Sequence, residues 1–200
     1  MKTPGLLLLF ACVSFVPEVK AQGTFIYDQQ SSDENQLGGG VADITSSQPI
    51  GQSFTPSLSA VGFVRLYLSD GVFNGLGTTV YVNLRANSIT GNVLAATSPV
   101  SVGDRFVGSV DFLFASNIAV TPQAQYYFQP VVQSGQSFGV YAYNSFGYSG
   151  GTAFSQGIVV PGWDLWFREG LYVPEPSSAA LGLLGAAQLV WARRRRFPVP

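Results

Sequence analysis

Apolar and polar residues alternate with a period of two along most of the middle of this chain. Val80, Val82 and Leu84 stand against Tyr81, Asn83 and Arg85, and Val64, Leu66 and Leu68 against Arg65 and Tyr67. Successive side chains of a strand point to opposite faces, so this pattern predicts half-buried strands. Phe106, Val110, Phe112 and Phe114 share one face of another strand that turns Ser109 and Asp111 the other way, and Tyr126, Phe128 and Val132 repeat the theme. Phe138–Asn144 and Asp164–Arg168 are further candidates, with shorter strands near Thr24–Tyr27 and Gln52–Thr55. Turn residues separate them at Asp70-Gly71, Asn74-Gly75, Thr90-Gly91-Asn92, Ser134-Gly135 and Gly150-Gly151. Gly38–Gly40 reads as a flexible loop. Roughly eight to ten short strands and no helical period predict an all-β protein, an antiparallel β-sandwich of jelly-roll-like type.

The two ends break this alternation with continuous apolar runs. Lys2 precedes an apolar core at Leu6–Val16, and Val19-Lys20-Ala21 offers small or apolar residues where a signal peptidase reads. Residues 1–21 are therefore expected to be a signal peptide cleaved after Ala21. Near the other end, Ala179–Ala192 is predicted to form a short hydrophobic helix. It is shorter than the roughly 17–25 residues that span a bilayer. The basic cluster Arg193, Arg194, Arg195 and Arg196 follows it and would hold that end on the cytoplasmic side of the inner membrane. The chain thus divides into 1–21, a passenger domain at 22–172, and a terminal segment at 173–200.

Val173-Pro174-Glu175-Pro176, then the apolar run, then the four arginines, resemble the PEP-CTERM sorting signal of exported bacterial proteins. Phe197–Pro200 extends further past the arginines than is usual in that family. The resemblance implies recognition by an exosortase, a membrane transpeptidase that cuts near the motif and passes the protein to the cell surface. It also implies transient anchoring in the inner membrane and a link to exopolysaccharide-producing cells. A second resemblance covers most of residues 50–170. Gln52-Ser53-Phe54-Thr55, Asn83-Leu84-Arg85, Gly91–Ala95, Tyr126-Tyr127-Phe128, Gly150–Phe154 and Asp164–Arg168, in that order, resemble the β-sandwich passengers called choice-of-anchor domains. That family implies a jelly-roll surface domain with no assigned activity.

Charge changes the picture once the ends are set apart. The passenger domain has four arginines (Arg65, Arg85, Arg105, Arg168) against nine carboxylates, a net of −5, whereas the whole chain stands at −1. No basic footprint for nucleic acid is present. The one cysteine, Cys12, lies in the leader, so the domain has no disulfide, and it has neither histidine nor lysine. Ser-His-Asp chemistry and histidine-bound zinc lack their residues. A glycosidase would need two carboxylates facing a sugar about 5–10 Å apart, but most of these acids stand in turns, where Asp is expected on structural grounds. No catalytic residue is assigned.

Two constellations remain as candidates. Tyr141, Tyr143, Tyr148, Trp163 and Trp166 cluster in the C-terminal third, where flat rings suit the C–H faces of sugars, although aromatic residues also fill sandwich cores. Tyr141 and Tyr143 share a face opposite Val140 and Ala142. Asp28, Asp33, Glu34 and Asp164 supply oxygens of the kind calcium takes, without a compact Asp-rich loop. The resulting expectation is a non-catalytic exported surface or extracellular-matrix protein with polysaccharide as a candidate ligand and no required cofactor. A glycan-active enzyme using carboxylates and a purely structural surface protein stand as alternatives.

Overall fold

The computed structural model describes residues 23–32, 39–175 and Gln188. Fourteen strands occur among them: β1 (Thr24–Gln30), β2 (Gly40–Asp43), β3 (Gly51–Phe54), β4 (Ala60–Ser69), β5 (Thr78–Ala86), β6 (Val93–Ala96), β7 (Val100–Val102), β8 (Val107–Ala119), β9 (Tyr126–Gly135), β10 (Gly139–Tyr143), β11 (Ala153–Ser155), β12 (Ile158–Val160), β13 (Asp164–Leu165) and β14 (Phe167–Val173). The long alternating segments became the long strands. The strands beyond the expected eight to ten are pieces of two to four residues, too short to show a period. Gly40, expected in a flexible loop, opens β2, because Gly40–Asp43 pairs with β10.

All pairings are antiparallel and form two sheets. In the first, β14 lies between β1 and β4, β8 runs along the other edge of β4, and β10 joins β4, β13 and β2. In the second the order is β12-β11-β3-β9-β5, with β6 and β7 sharing the far edge of β5. The chain passes between sheets at β2–β3, β3–β4, β4–β5, β7–β8, β8–β9, β9–β10, β10–β11 and β12–β13. Their inner faces meet in one core that includes Phe54, Leu66, Leu84, Phe112, Phe128, Phe138 and Phe167, with Phe128 and Phe167 in ring contact across the sheets at 5.1 Å. This is the two-layer arrangement of a β-sandwich. Each such side chain removed from water contributes about 1.5–3 kcal/mol, and with no cysteine in the domain this burial carries the stability.

One irregularity places a functional candidate. Between Tyr27 and Gln29 the β1–β14 register slips, which leaves Asp28 outside the ladder. The slip needs Gly170 opposite, since a Cβ there would lie 2.0 Å from the Ile26 carbonyl oxygen. The Gly23–Val173 segment forms one compact unit, closed by the Thr24–Val173 pair at the end of the β1–β14 ladder. No helix among the described residues is long and apolar enough to cross a membrane. The predicted signal peptide with its cleavage at Ala21, and the predicted terminal helix save for a helical Gln188, lie outside the described residues.

Candidate functional site

The outer face of the first sheet carries a layer of aromatic and guanidinium groups. Register sets Arg168 opposite Arg65, and Arg65 opposite Asp111, in one row across β14, β4 and β8. Two neighbouring cations need compensation. Asp111 supplies it through a two-pronged bond: Arg65 Nε donates to Oδ1 at 2.5 Å and Nη2 to Oδ2 at 3.0 Å. The Tyr27 ring supplies more, standing 5.6 Å from the Arg65 guanidinium and 5.2 Å from that of Arg168, while its hydroxyl accepts from Arg65 Nη1 at 2.7 Å. Beside this row, Tyr67 meets Tyr141 edge-on at 4.8 Å and Trp166 at 5.6 Å.

The five aromatic residues expected as glycan contacts do not form one surface. Tyr141 and Tyr143 are half-buried and do point away from the buried Val140 and Ala142. Trp166 is fully buried. It sits at the break between β13 and β14, its amide donates to the Tyr141 carbonyl at 2.8 Å, and it forms the floor beneath Tyr67 and Arg168 rather than a platform for a ligand. Tyr143 packs edge-on against Phe146.

Tyr148 turns inward. Its ring meets Phe167 at 5.1 Å, and its hydroxyl accepts from the Thr55 amide and donates to Gln29 Oε1, each at 3.2 Å. Burial, with the negative charges of Glu169, Asp28 and Asp164, pushes its phenol up to about 12 despite the Thr55 bond, so it is a neutral strut between the sheets. Trp163 lines a separate apolar cleft of about 270 Å³ with Val41, Ile50, Phe154, Val160 and Leu165. Sequence reasoning missed Tyr27, Tyr67, Arg65 and Arg168 as partners. The alternation showed the outward turn of Tyr67 and Arg65, but only strand order brings them beside Tyr27, Tyr141 and Arg168.

The carboxylates divide by what surrounds them. Asp28, freed by the bulge, accepts from the Ser57 amide (2.7 Å), the Leu58 amide (2.9 Å), the Ser57 hydroxyl and Gln29 Nε2. Burial works against its charge, but these donors prevail and hold the carboxyl below its ordinary range. Asp164 accepts from Gln52 Nε2 at 2.8 Å and the Tyr148 amide at 3.0 Å, and burial still raises it. Both bind the chain to itself. Asp33 and Glu34, the other candidate calcium ligands, lie outside the described residues. Among the described residues, no three His, Cys, Asp or Glu side chains gather as a metal-sized group.

Glu169 was not expected to matter. Register places it opposite Val64, on the core face, with no exposure and no hydrogen-bond partner for either carboxyl oxygen. Burial, and then the nearby negative charge of Asp28, push it to about 9. It is therefore protonated at neutral pH.

Of the expected sorting motif, Val173 is the last residue of β14, and Pro174 and Glu175 follow it exposed to solvent. The strand expected over Asp164–Arg168 is broken at Trp166 into β13 and β14, and β14 runs on to the first residue of the motif. Pro176 and Arg193, Arg194, Arg195 and Arg196 lie outside the described residues. No protein-family model matches this chain, and no curated protein matches it in sequence.

Proposed function

We propose that this protein is a non-catalytic, exported component of the cell surface or extracellular matrix. In this reading an exosortase sorts it through Val173–Pro176 and the following segment, and polysaccharide is its ligand. The observation that carries the proposal is where the compact unit stops. It spans Gly23–Val173, starting just after the predicted leader cleavage and ending on the first residue of the sorting motif. Cuts at both predicted places would release a unit with every strand intact. The repeated passage between sheets supports a jelly-roll type of sandwich, in keeping with an anchored passenger domain.

For the ligand, support shifts from the original five aromatics to Tyr27, Tyr67 and Tyr141 on the outer sheet face. Tyr27 is 41% exposed, and the Arg65 and Arg168 guanidinium groups beside its ring hold it in place on that face. An extracellular hydrolase is the weaker reading. Its proton donor would need a raised carboxyl within reach of the substrate, and Glu169, the most strongly raised among the described residues, is sealed between the sheets.

The deciding experiment is intact mass by compartment in the native host, beside a variant with Arg193–Arg196 changed to Ala. The proposal expects a surface or released form lacking both ends, and retention of the variant. A mature protein that keeps Arg193–Arg196 in the membrane sinks the sorting reading. Binding of the surface form to a glycan array, weakened by Tyr67→Ala and Tyr141→Ala, tests the ligand; equal binding by wild type and variants removes it.

A further inference from the structure

The connection between β4 and β5 ends in a charge-free tip, Gly71-Val-Phe-Asn-Gly-Leu-Gly77, which turns Val72 (57% exposed), Phe73 (66%) and Leu76 (57%) to solvent. Large apolar groups at a loop tip cost solubility and contribute nothing to the core, so grouped exposure of this kind marks a contact surface. We propose that this tip inserts into the interface of a zwitterionic lipid bilayer, with Val72, Phe73 and Leu76 below the headgroups and Arg105 at the level of the phosphates.

Three observations select a lipid surface. First, the tip satisfies much of its own backbone. The Val72 amide donates to Asp70 Oδ1, the Asn74 and Gly75 amides to Asp104 Oδ1, and the Leu76 amide to Asn74 Oδ1, while the Val72 carbonyl accepts from Gln136 Nε2. Hydrocarbon offers no partner to a free amide, so a segment entering it must bring its own. Second, the charges suit an interface. Asp70 is buried, Asp104 accepts the loop amides at Oδ1 and pairs through Oδ2 with Arg105 Nε at 3.5 Å, and the Arg105 guanidinium, with its side chain 73% exposed, stands 5.5 Å from the Phe73 ring. A cation beside an aromatic ring at the rim of an apolar tip complements lipid phosphates. Third, the tip projects. A Cβ built at Gly71, Gly75 or Gly103 would meet no atom within 4 Å.

The tip follows Ser69, at the far end of β4 from Gly62, which packs against the Tyr172 amide beside the Thr24–Val173 closure. The seven residue steps between them span roughly 20–25 Å. The tip thus lies away from the Thr24–Val173 closure, and its insertion does not rest on the sorting reading.

The test uses the full chain with Cys12→Ser and a single environment-sensitive fluorophore, on Val72→Cys or, at the opposite end of β4, on Ser59→Cys. On phosphatidylcholine vesicles the label at 72 should blue-shift and brighten several-fold, while the label at 59 should not. In unlabelled protein, Phe73→Ser with Leu76→Ser should lower the vesicle affinity attributable to the tip at least about tenfold. These side chains are exposed, so an unchanged melting temperature checks that the variant is folded. Equal responses at 59 and 72, or no loss of affinity in the double variant, would overturn the proposal. So would a label at 72 that ignores vesicles and responds only to a purified surface protein.

Discussion

Asp111 and Glu169 belong to the same sheet, and their strands both flank β4, yet they live in opposite chemical worlds. Asp111 faces outward and grips Arg65, whereas Glu169 faces inward with neither oxygen partnered. The difference comes from pleat parity. Asp111 is registered to Arg65 and Glu169 to Val64, one residue away on the shared neighbour. A one-residue change of face turns a charge-assisted pair into an acid that must keep its proton.

The largest effect should come from Glu169. Its carboxyl holds a proton more tightly in the fold (about 9) than the ordinary 4.5, so folding takes up a proton between those values. Its contribution is fully present below about pH 4.5 and is lost as pH rises toward about 9, with a slope approaching 1.4 kcal/mol per pH unit. Glu169→Gln should remove this component, leaving the variant more stable than wild type at pH 8 by on the order of several kcal/mol. Denaturant unfolding at pH 5 and pH 8 measures it, and equal slopes in both proteins would mean that Glu169 is ionised in the fold. Asp28→Asn sharpens the test: it removes a neighbouring negative charge and so lowers the Glu169 carboxyl in the fold, and the decline should still begin near pH 4.5 but end at a lower pH, with less stability lost by pH 8.

Tyr148→Phe comes next. It deprives the Thr55 amide and Gln29 Oε1 of a partner while keeping the Phe167 contact, and should cost about 1–3 kcal/mol in the same assay. The outer pair should give the smallest effect. A double-mutant cycle of Arg65→Met and Asp111→Asn should yield a coupling of about 1 kcal/mol that shrinks in high salt, because Asp111 is one-third exposed. A coupling as large as the Glu169 effect would erase the contrast between the two faces.

The sequence made the long strands legible because residues 64–68, 80–85 and 106–114 each carry enough alternation to fix a face. The three-residue strands β11 and β12 were invisible for lack of length. Strand order was invisible too, and with it the site. Tyr67 could be seen to face outward, but its meeting with Tyr141, 74 positions later, depends on β10 docking at the end of β4. Trp166 misled because it stands at the break between two strands, where parity stops predicting exposure. Tyr148 precedes a turn-rich stretch that gave no sign it would be drawn between the sheets. Glu169 follows Arg168 in sequence like an ordinary surface charge, and only the extension of β14 to Val173 shows that it faces the core.

The Thr24–Val173 pairing has a topological consequence. Directly opposed residues of an antiparallel ladder lie only about 5 Å apart, so the domain begins and ends at almost the same point in space. A few glycines joining Val173 to Thr24 would let the chain be reopened at an exposed turn such as Gln156-Gly157 without disturbing either sheet, giving a circular permutant. For the same reason the domain can be set into a loop of another protein as an insert, with its host entering and leaving through one gate.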